Sequence, residues 1–139
     1  MFRHILVPID LSARADCLLA VARALAEPAR ARVTILHAIQ RIEGIAPKEL
    51  ARFYRQLEKR AQDKVGRACR KLARAGLKVD GVVLIGEPPK EILAHATSKK
   101  ADLIVIGSYR VHRRTPAYRL GMTSYRVALL SPCPVLLVK

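Results

Sequence analysis

Short apolar runs recur along the chain and are separated by longer amphipathic segments. The runs are HILVPI (4–9), RVTILHAI (32–39), VDGVVLIG (79–86), DLIVIG (102–107) and PVLLVK (134–139). Their apolar residues are nearly continuous instead of alternating with polar ones, which is typical of strands covered on both faces of a parallel sheet. The pattern therefore predicts five buried, parallel strands.

Helical patterns fill the four intervals between these runs. The first follows Ser12, and the others cover about 47–75, 88–100 and 123–130. The resulting order, β-α-β-α-β-α-β-α-β, predicts a Rossmann-like α/β fold, with an open five-stranded parallel sheet and helices on both faces. A chain of 139 residues is long enough for one domain and too short for two ordinary ones, so residues 1–139 are expected to form a single domain.

Polar residues and a glycine mark the expected ends of these helices. Asp10 and Ser12 belong to the residue types that cap the start of a helix, and Gly76 is expected to end the second helix. Thr123 or Ser124 is expected near the cap of the last helix.

The charge of the chain is strongly positive. Lysine and arginine number 26 against 11 acidic residues, which gives a formal net charge of +15. Such a charge attracts polyanions and also keeps a protein in solution. Charge alone therefore leaves both nucleic-acid binding and simple solubility open.

The sequence does not favour a membrane span, a disulfide framework or a metal site. No apolar run approaches the ~20 residues of a membrane span, and aspartate at position 10 interrupts any secretory signal, so a cytosolic protein is expected. The cysteines, Cys17, Cys69 and Cys133, are an odd number without a CxxC pair, and buried thiols are expected. The four histidines lack the spacing of a metal site.

The most unusual segment is GSYRVHRRTPAYRLGMTS, residues 107–124. It starts at a glycine, has another near its end, and holds five arginines or histidines and no acid. Ligands of open parallel sheets bind beyond the carboxyl ends of the strands, near the point where the strand order reverses. Asp10, Ala38 and this segment all lie at such ends, so a binding site is predicted there.

Four pieces of the sequence together resemble the universal stress protein family over the whole chain: HILVPIDLS, VTILHAI, ADLIVIGS and SPCPVLLVK. The resemblance implies an open five-stranded sheet similar to that of the adenine nucleotide α-hydrolases, commonly dimerised through the last strand. It also implies a role in the stress response. Members that bind ATP carry the motif Gly-x2-Gly-x9-Gly-Ser/Thr after the fourth strand.

The resemblance assigns binding residues by position. It implies that Pro8, Asp10 and Ala38 surround an adenosine, with Asp10 as the polar partner. Gly107 matches the first glycine of the phosphate motif and Gly121 the last. Glycine lets the backbone approach phosphates, and amides at the start of the next helix meet their charge.

The phosphate motif departs from the family pattern at three points. Arg110 stands in place of the second glycine, ten residues instead of nine separate it from Gly121, and Met122 replaces the hydroxyl residue, although Thr123 and Ser124 follow. Arg110 adds a long side chain where backbone should meet phosphate, and Met122 removes a hydroxyl donor. Arginine is itself a phosphate ligand. We therefore expect an altered loop that binds an adenine nucleotide or another anion, and binds ATP weakly or not at all.

The sequence leaves two alternative functions open and also predicts how the chain assembles. The 47–75 helix carries ten basic residues, of which Arg60, Lys64, Arg67, Lys71 and Arg74 form a stripe, so a polyanion or nucleic-acid-binding module is the alternative function. Slow ATP hydrolysis is a further alternative, for which the sequence displays no general base. The apolar closing run, PVLLVK, predicts a homodimer through this edge strand.

Overall fold

The computed structural model describes residues 1–44, 46–108 and 122–139, and gives only the backbone of Pro47 and Met122. The described elements are β1 (His4–Pro8), α1 (Ala15–Ala29), β2 (Arg32–Gln40), α2 (Pro47–Ala73), β3 (Val79–Gly86), α3 (Pro88–Ser98), β4 (Leu103–Gly107), α4 (Met122–Leu130) and β5 (Val135–Val138). They follow the order that the apolar pattern predicts.

The five strands form one open sheet in the order β3-β2-β1-β4-β5. All neighbouring strands pair in parallel, so the predicted fold class is confirmed. The chain moves from β1 outward to β2 and β3, and then crosses to β4 on the other side of β1. The strand order therefore reverses between β1 and β4, and the loops that follow these strands leave the sheet on opposite sides.

Each face of the sheet is covered by two helices. α1 and α2 cover one face, where they pack with strand residues such as Ile5 and Val7. α3 and α4 cover the other, where they pack with Leu6 and Ile104. Because successive side chains of a strand point to opposite faces, both sets of residues in each run are buried. This burial explains why the apolar runs are continuous.

The long helix α2 has one apolar and one basic side. Ala61, Val65 and Leu72 are buried against the sheet, whereas the basic residues lie on its remaining surface. Proline at the first helical position favours its start. In the described ranges, no helix combines the length and apolar character that a membrane span needs.

The start of α1 differs from the sequence expectation. The N-cap position is Arg14, and no described side chain caps the helix there. Asp10 Oδ1 instead accepts the backbone N–H of Ser12 at 3.0 Å and its hydroxyl at 2.5 Å. The prediction that Asp10 or Ser12 is the N-cap is therefore wrong, because the carboxylate closes a turn within the loop.

Two other helix ends also lie elsewhere than expected. α2 ends at Ala73, and Gly76 lies beyond it in a turn with a φ of 86°, which glycine adopts without strain. α4 begins at Met122, one residue before the expected start, and Thr123 and Ser124 lie in its first turn, near the start of the helix as expected. These shifts of one to two residues leave the connectivity unchanged.

The amino end of the sheet is closed by hydrogen bonds. The Asp102 carboxylate accepts the backbone N–H groups of Arg3 at 2.8 Å and His4 at 3.1 Å. The His4 ring donates from Nδ1 to the Lys99 carbonyl at 3.1 Å and shares a 2.7 Å hydrogen bond between Nε2 and Thr34 Oγ1. These contacts tie β1, β2 and the loop before β4 together at one end.

Candidate functional site

A cavity of about 380 Å³ lies at the opposite, carboxyl end of the sheet. The predicted site residues that line it are Pro8, Asp10, Ala38, Gly107, Thr123 and Ser124. They come from β1 and its loop, β2, the end of β4 and the first turn of α4. The structure therefore brings together six residues that lie far apart in the sequence, at the point where the strand order reverses.

Three predicted site residues cannot be located in this cavity. Arg110 and Gly121 fall outside the described residues, and Met122 is described by its backbone alone, as the first residue of α4. Their assignment to the site therefore rests on the sequence. The described part of the phosphate motif consists of Gly107 at one end and of Thr123 and Ser124 at the other.

Asp10 is held in place by its own loop. Oδ1 accepts both hydrogen bonds from Ser12, and Ser12 Oγ in turn accepts the backbone N–H of Arg14 at 3.3 Å. Within the described ranges, Oδ2 accepts no hydrogen bond from the protein. An ionised carboxylate has about four lone-pair sites, so Asp10 keeps acceptor capacity for the hydroxyls of a ligand.

The wall beside Asp10 is apolar and is fixed by a histidine. Pro8, Ala38 and Ile92 contribute carbon surface to the cavity, of the kind that suits the flat face of a base. His37 Nδ1 donates to the Ile9 carbonyl at 2.7 Å and so holds the loop after β1 against β2. This hydrogen bond gives His37 a structural role beside the cavity.

Gly107 leaves the end of β4 open. A β-carbon added at this position would meet no described atom within 4 Å, so the fold itself does not demand glycine here. The absence of a side chain instead keeps the cavity clear between β4 and α4. The backbone amides at the start of a helix favour an anion at such a position, and Ser124 is nearly buried beside them.

Sequence reasoning did not identify Arg14 as a site residue. Its Nη2 donates to the Ser108 carbonyl at 2.6 Å, which links the β1–α1 loop to the residue that follows β4. Arg14 and Cys17 both line the cavity. The available signal was their position directly after the first predicted strand, in the loop and the first turn of the helix. Pro88 and Ile92 of α3 also line the cavity, and no local pattern indicates this.

The cysteines differ in exposure. Cys17 is exposed, so the expectation of buried thiols is wrong for this residue, while Cys69 and Cys133 are half-buried. Burial, reinforced by the negative charge of Asp80, raises the pKa of the Cys69 thiol above its usual range. Because its pKa is raised, this thiol is less reactive as a nucleophile. It lies on α2 and does not line the cavity.

A second, smaller cavity of about 270 Å³ lies where α2 meets the β1–α1 loop. Lys64, Arg67 and Lys71 of the basic stripe line it. Lys64 Nζ donates to the Leu11 carbonyl at 2.5 Å, and Lys71 Nζ lies 3.6 Å from Asp16 Oδ1. Part of the stripe thus fastens α2 to the loop that carries Asp10.

Among the described residues, no three His, Cys, Asp or Glu side chains are grouped so as to hold a metal ion.

A parallel α/β sheet with a cavity at the reversal of its strand order defines a Rossmann-like ligand-binding architecture. The sequence profile of the universal stress protein family matches residues 1–139. The chain belongs to the universal stress protein family, and the resemblance found in the sequence is confirmed.

Relatives share both sequence and full length with the chain. A universal stress protein of Thermus aquaticus, encoded in the 3′ region of the QAH/OAS sulfhydrylase gene, is 34% identical over 141 residues and covers 100% of both chains. Universal stress protein YxiE of Bacillus subtilis is 31% identical over 149 residues, again covering 100% of both.

Solved structures of family members share the fold. UspA of Lactobacillus plantarum superimposes with a TM-score of 0.87 at 22% identity, covering 99% of this chain and 98% of that one. A family member from Archaeoglobus fulgidus in complex with dAMP has a TM-score of 0.72 at 23% identity, covering 99% and 98%. An Arabidopsis thaliana member with AMP bound has a TM-score of 0.71 at 13% identity, covering 99% and 91%.

Proposed function

We propose that this chain is a single-domain, cytosolic regulatory protein of the universal stress protein family that binds an adenine nucleotide in the larger cavity. One observation carries the proposal: six residues predicted from sequence to contact a nucleotide line the same cavity. The volume of about 380 Å³ lies within the ~300–1,000 Å³ typical of small-molecule sites. Family members solved with dAMP and AMP support the choice of ligand.

The two sides of the cavity suit different parts of the ligand. The apolar surface of Pro8 and Ala38 suits the adenine ring, and the acceptor oxygen of Asp10 suits the ribose hydroxyls. The open end of β4 at Gly107 and the first turn of α4, with Thr123 and Ser124, suit the phosphate. A nucleoside monophosphate has the base, the ribose and the single phosphate that these three parts of the cavity suit.

We propose that the triphosphate is disfavoured by the altered motif. Arg110, Met122 and the additional residue change the motif whose glycines let the backbone approach the phosphates in family members that bind ATP. Gly107 and the first turn of α4 still line the cavity and suit one phosphate. On this proposal AMP binds more tightly than ATP.

The proposal is tested by finding the bound molecule and weakening its contact. Ligand released from the purified protein is identified by mass spectrometry, and AMP is then titrated by calorimetry. Asp10→Ala removes the ribose acceptor and is expected to weaken AMP binding about 10- to 100-fold, because a hydrogen bond to a charged group contributes ~1.5–3 kcal/mol. Asp63→Ala, an exposed change on α2, is the matched control. Equal affinities for the two variants would contradict the proposal.

A homodimer through β5 is part of the proposal. β5 is an edge strand, and Leu136 and Leu137 are still 39% and 37% exposed. An uncharged, apolar edge invites pairing with a second copy. Light scattering at tens of micromolar (~ the range in which weak association becomes visible) should detect a dimer that Leu136→Lys disrupts and Phe53→Lys, on α2, does not. A wild-type monomer would contradict this part.

The polyanion-binding alternative retains one specific observation in its favour. Of the ten basic residues between Lys48 and Arg74, all but Lys64 are exposed. If this surface binds nucleic acid, affinity for a DNA or RNA oligonucleotide falls steeply with salt, because each neutralised phosphate releases counterions. Retention of AMP at a salt concentration that removes the oligonucleotide would separate the two functions.

A further inference from the structure

We propose that Arg14 is the residue that makes this cavity selective for a phosphorylated nucleoside over the free nucleoside. The inference rests on the proposed function, and it assigns a ligand-contacting role to a residue outside the phosphate motif of the sequence. Arg14 lines the cavity together with Asp10 of the same loop, Gly107 at the end of β4 and Thr123 in the first turn of α4.

The guanidinium of Arg14 reaches the exit of β4 at the edge of the cavity. Its Nη2 lies 2.6 Å from the carbonyl oxygen of Ser108, the residue directly after Gly107. The two residues are 94 positions apart in the sequence, so the loop after β1 and the exit of β4 are joined by this side chain. Arg14 therefore reaches the wall that suits the phosphate while its backbone belongs to the loop that carries Asp10.

The chemistry of arginine fits an additional anion at this position. A guanidinium presents five N–H donors in a planar fork, so donation to the Ser108 carbonyl is compatible with donation to phosphate oxygens. Such charge-assisted pairs are about twice as strong as neutral hydrogen bonds. A ligand held by its ribose at Asp10 would place its 5′-phosphate between Arg14 and the start of α4.

Two carboxylates lie close to Arg14 in the chain, those of Asp10 and Asp16. Asp10 Oδ1 accepts its bonds from Ser12, and Asp16 lies 3.6 Å from Lys71 Nζ. Asp16 is therefore paired towards α2, while Arg14 brings a positive charge to the lining of the cavity. By contrast, Arg23 further along α1 forms a 2.6 Å ion pair with Glu27 on the exposed side of the helix, which makes it a matched control.

The test compares AMP with adenosine by titration calorimetry. In wild type, AMP is expected to bind more tightly than adenosine. Arg14→Gln should weaken AMP binding about 10- to 100-fold and change adenosine binding less than about twofold, so that the AMP-to-adenosine ratio collapses. Arg14→Lys should restore part of the ratio, because it keeps the charge and loses the planar fork. Arg23→Gln should leave both affinities unchanged.

Different failures have different meanings. If wild type binds neither AMP nor adenosine, the proposed function fails and the inference fails with it. If wild type binds both and Arg14→Gln preserves the affinity ratio, or weakens both ligands equally, the function stands and the role of Arg14 is overturned. Thermal unfolding of each variant accompanies the titrations, and Arg14→Lys decides the question if Arg14→Gln does not fold.

Discussion

The two ends of the same sheet differ in how their polar groups are used. At the amino end, Asp102 accepts two backbone N–H groups, and His4 bridges Thr34 and Lys99. At the carboxyl end, the polar groups of Asp10 and of the first turn of α4 surround a cavity of about 380 Å³. Strands β1, β2 and β4 contribute to both ends. The difference therefore comes from the polar side chains that flank the strands and from the partners to which they are hydrogen-bonded.

The comparison separates stability from binding. Buried or half-buried polar groups that satisfy one another hold elements together, and losing one partner leaves the other unpaired. Polar groups that line a cavity keep capacity for a ligand. Changes at the amino end should therefore affect unfolding and leave nucleotide affinity intact, and changes at the carboxyl end should do the reverse.

The largest expected effect comes from rebuilding the phosphate motif at the carboxyl end. Arg110→Gly with Met122→Ser restores a glycine and a hydroxyl donor, and we expect ATP affinity to rise about 10- to 100-fold, since a hydrogen bond to a charged group contributes ~1.5–3 kcal/mol. Calorimetry on wild type, Arg110→Gly and the double variant measures it. If Arg110 is itself a phosphate ligand, the single change weakens binding, and the motif has been rebuilt instead of damaged.

The next effect concerns the amino end. Asp102→Ala leaves the N–H groups of Arg3 and His4 without their acceptor, and we expect the free energy of unfolding to fall by about 1–3 kcal/mol. Urea unfolding measures the loss, with Asp63→Ala, whose effect should stay within about 0.5 kcal/mol, as the control. AMP affinity should not change, and a parallel loss of affinity would break the separation between the two ends.

The smallest effect is a pH dependence near the amino end. Burial, followed by the positive charges of Lys99 and His4, lowers the pKa of His95 below its usual 6.5, against an opposing effect of Asp80. The unfolded chain then binds more protons than the folded one between the two pKa values, so stability falls as pH drops through 6.5. His95→Gln should reduce this slope in urea unfolding between about pH 8 and pH 5. If His95→Gln leaves the slope of stability against pH unchanged, the pH dependence comes from other groups.

The sequence predicted the fold well because the fold depends on local patterns. Continuous apolar runs define buried parallel strands. The rule that ligands lie where the strand order reverses predicts one site for Asp10, Ala38 and Gly107. The start of α1 was predicted wrongly because Asp10 bonds within its own loop. Residue type alone does not reveal which backbone group a short side chain reaches.

The least predictable part of the site is formed by long-range contacts. Arg14 reaches the Ser108 carbonyl across 94 positions, and Ile92 enters the cavity from α3. Neither contact has a periodic or motif signature, because each depends on how elements pack around the sheet. Cys17 was expected to be buried, yet it is exposed at the first turn of α1.

The central claim is that an adenine nucleotide binds at the carboxyl end of the sheet. Titration of the ¹⁵N-labelled protein with AMP, followed by backbone amide NMR, tests it most directly. The account predicts saturable shifts around Asp10, Ala38 and Gly107, with Thr34 and Asp102 unaffected. Shifts confined to the exposed basic side of α2, or none at all, would contradict it.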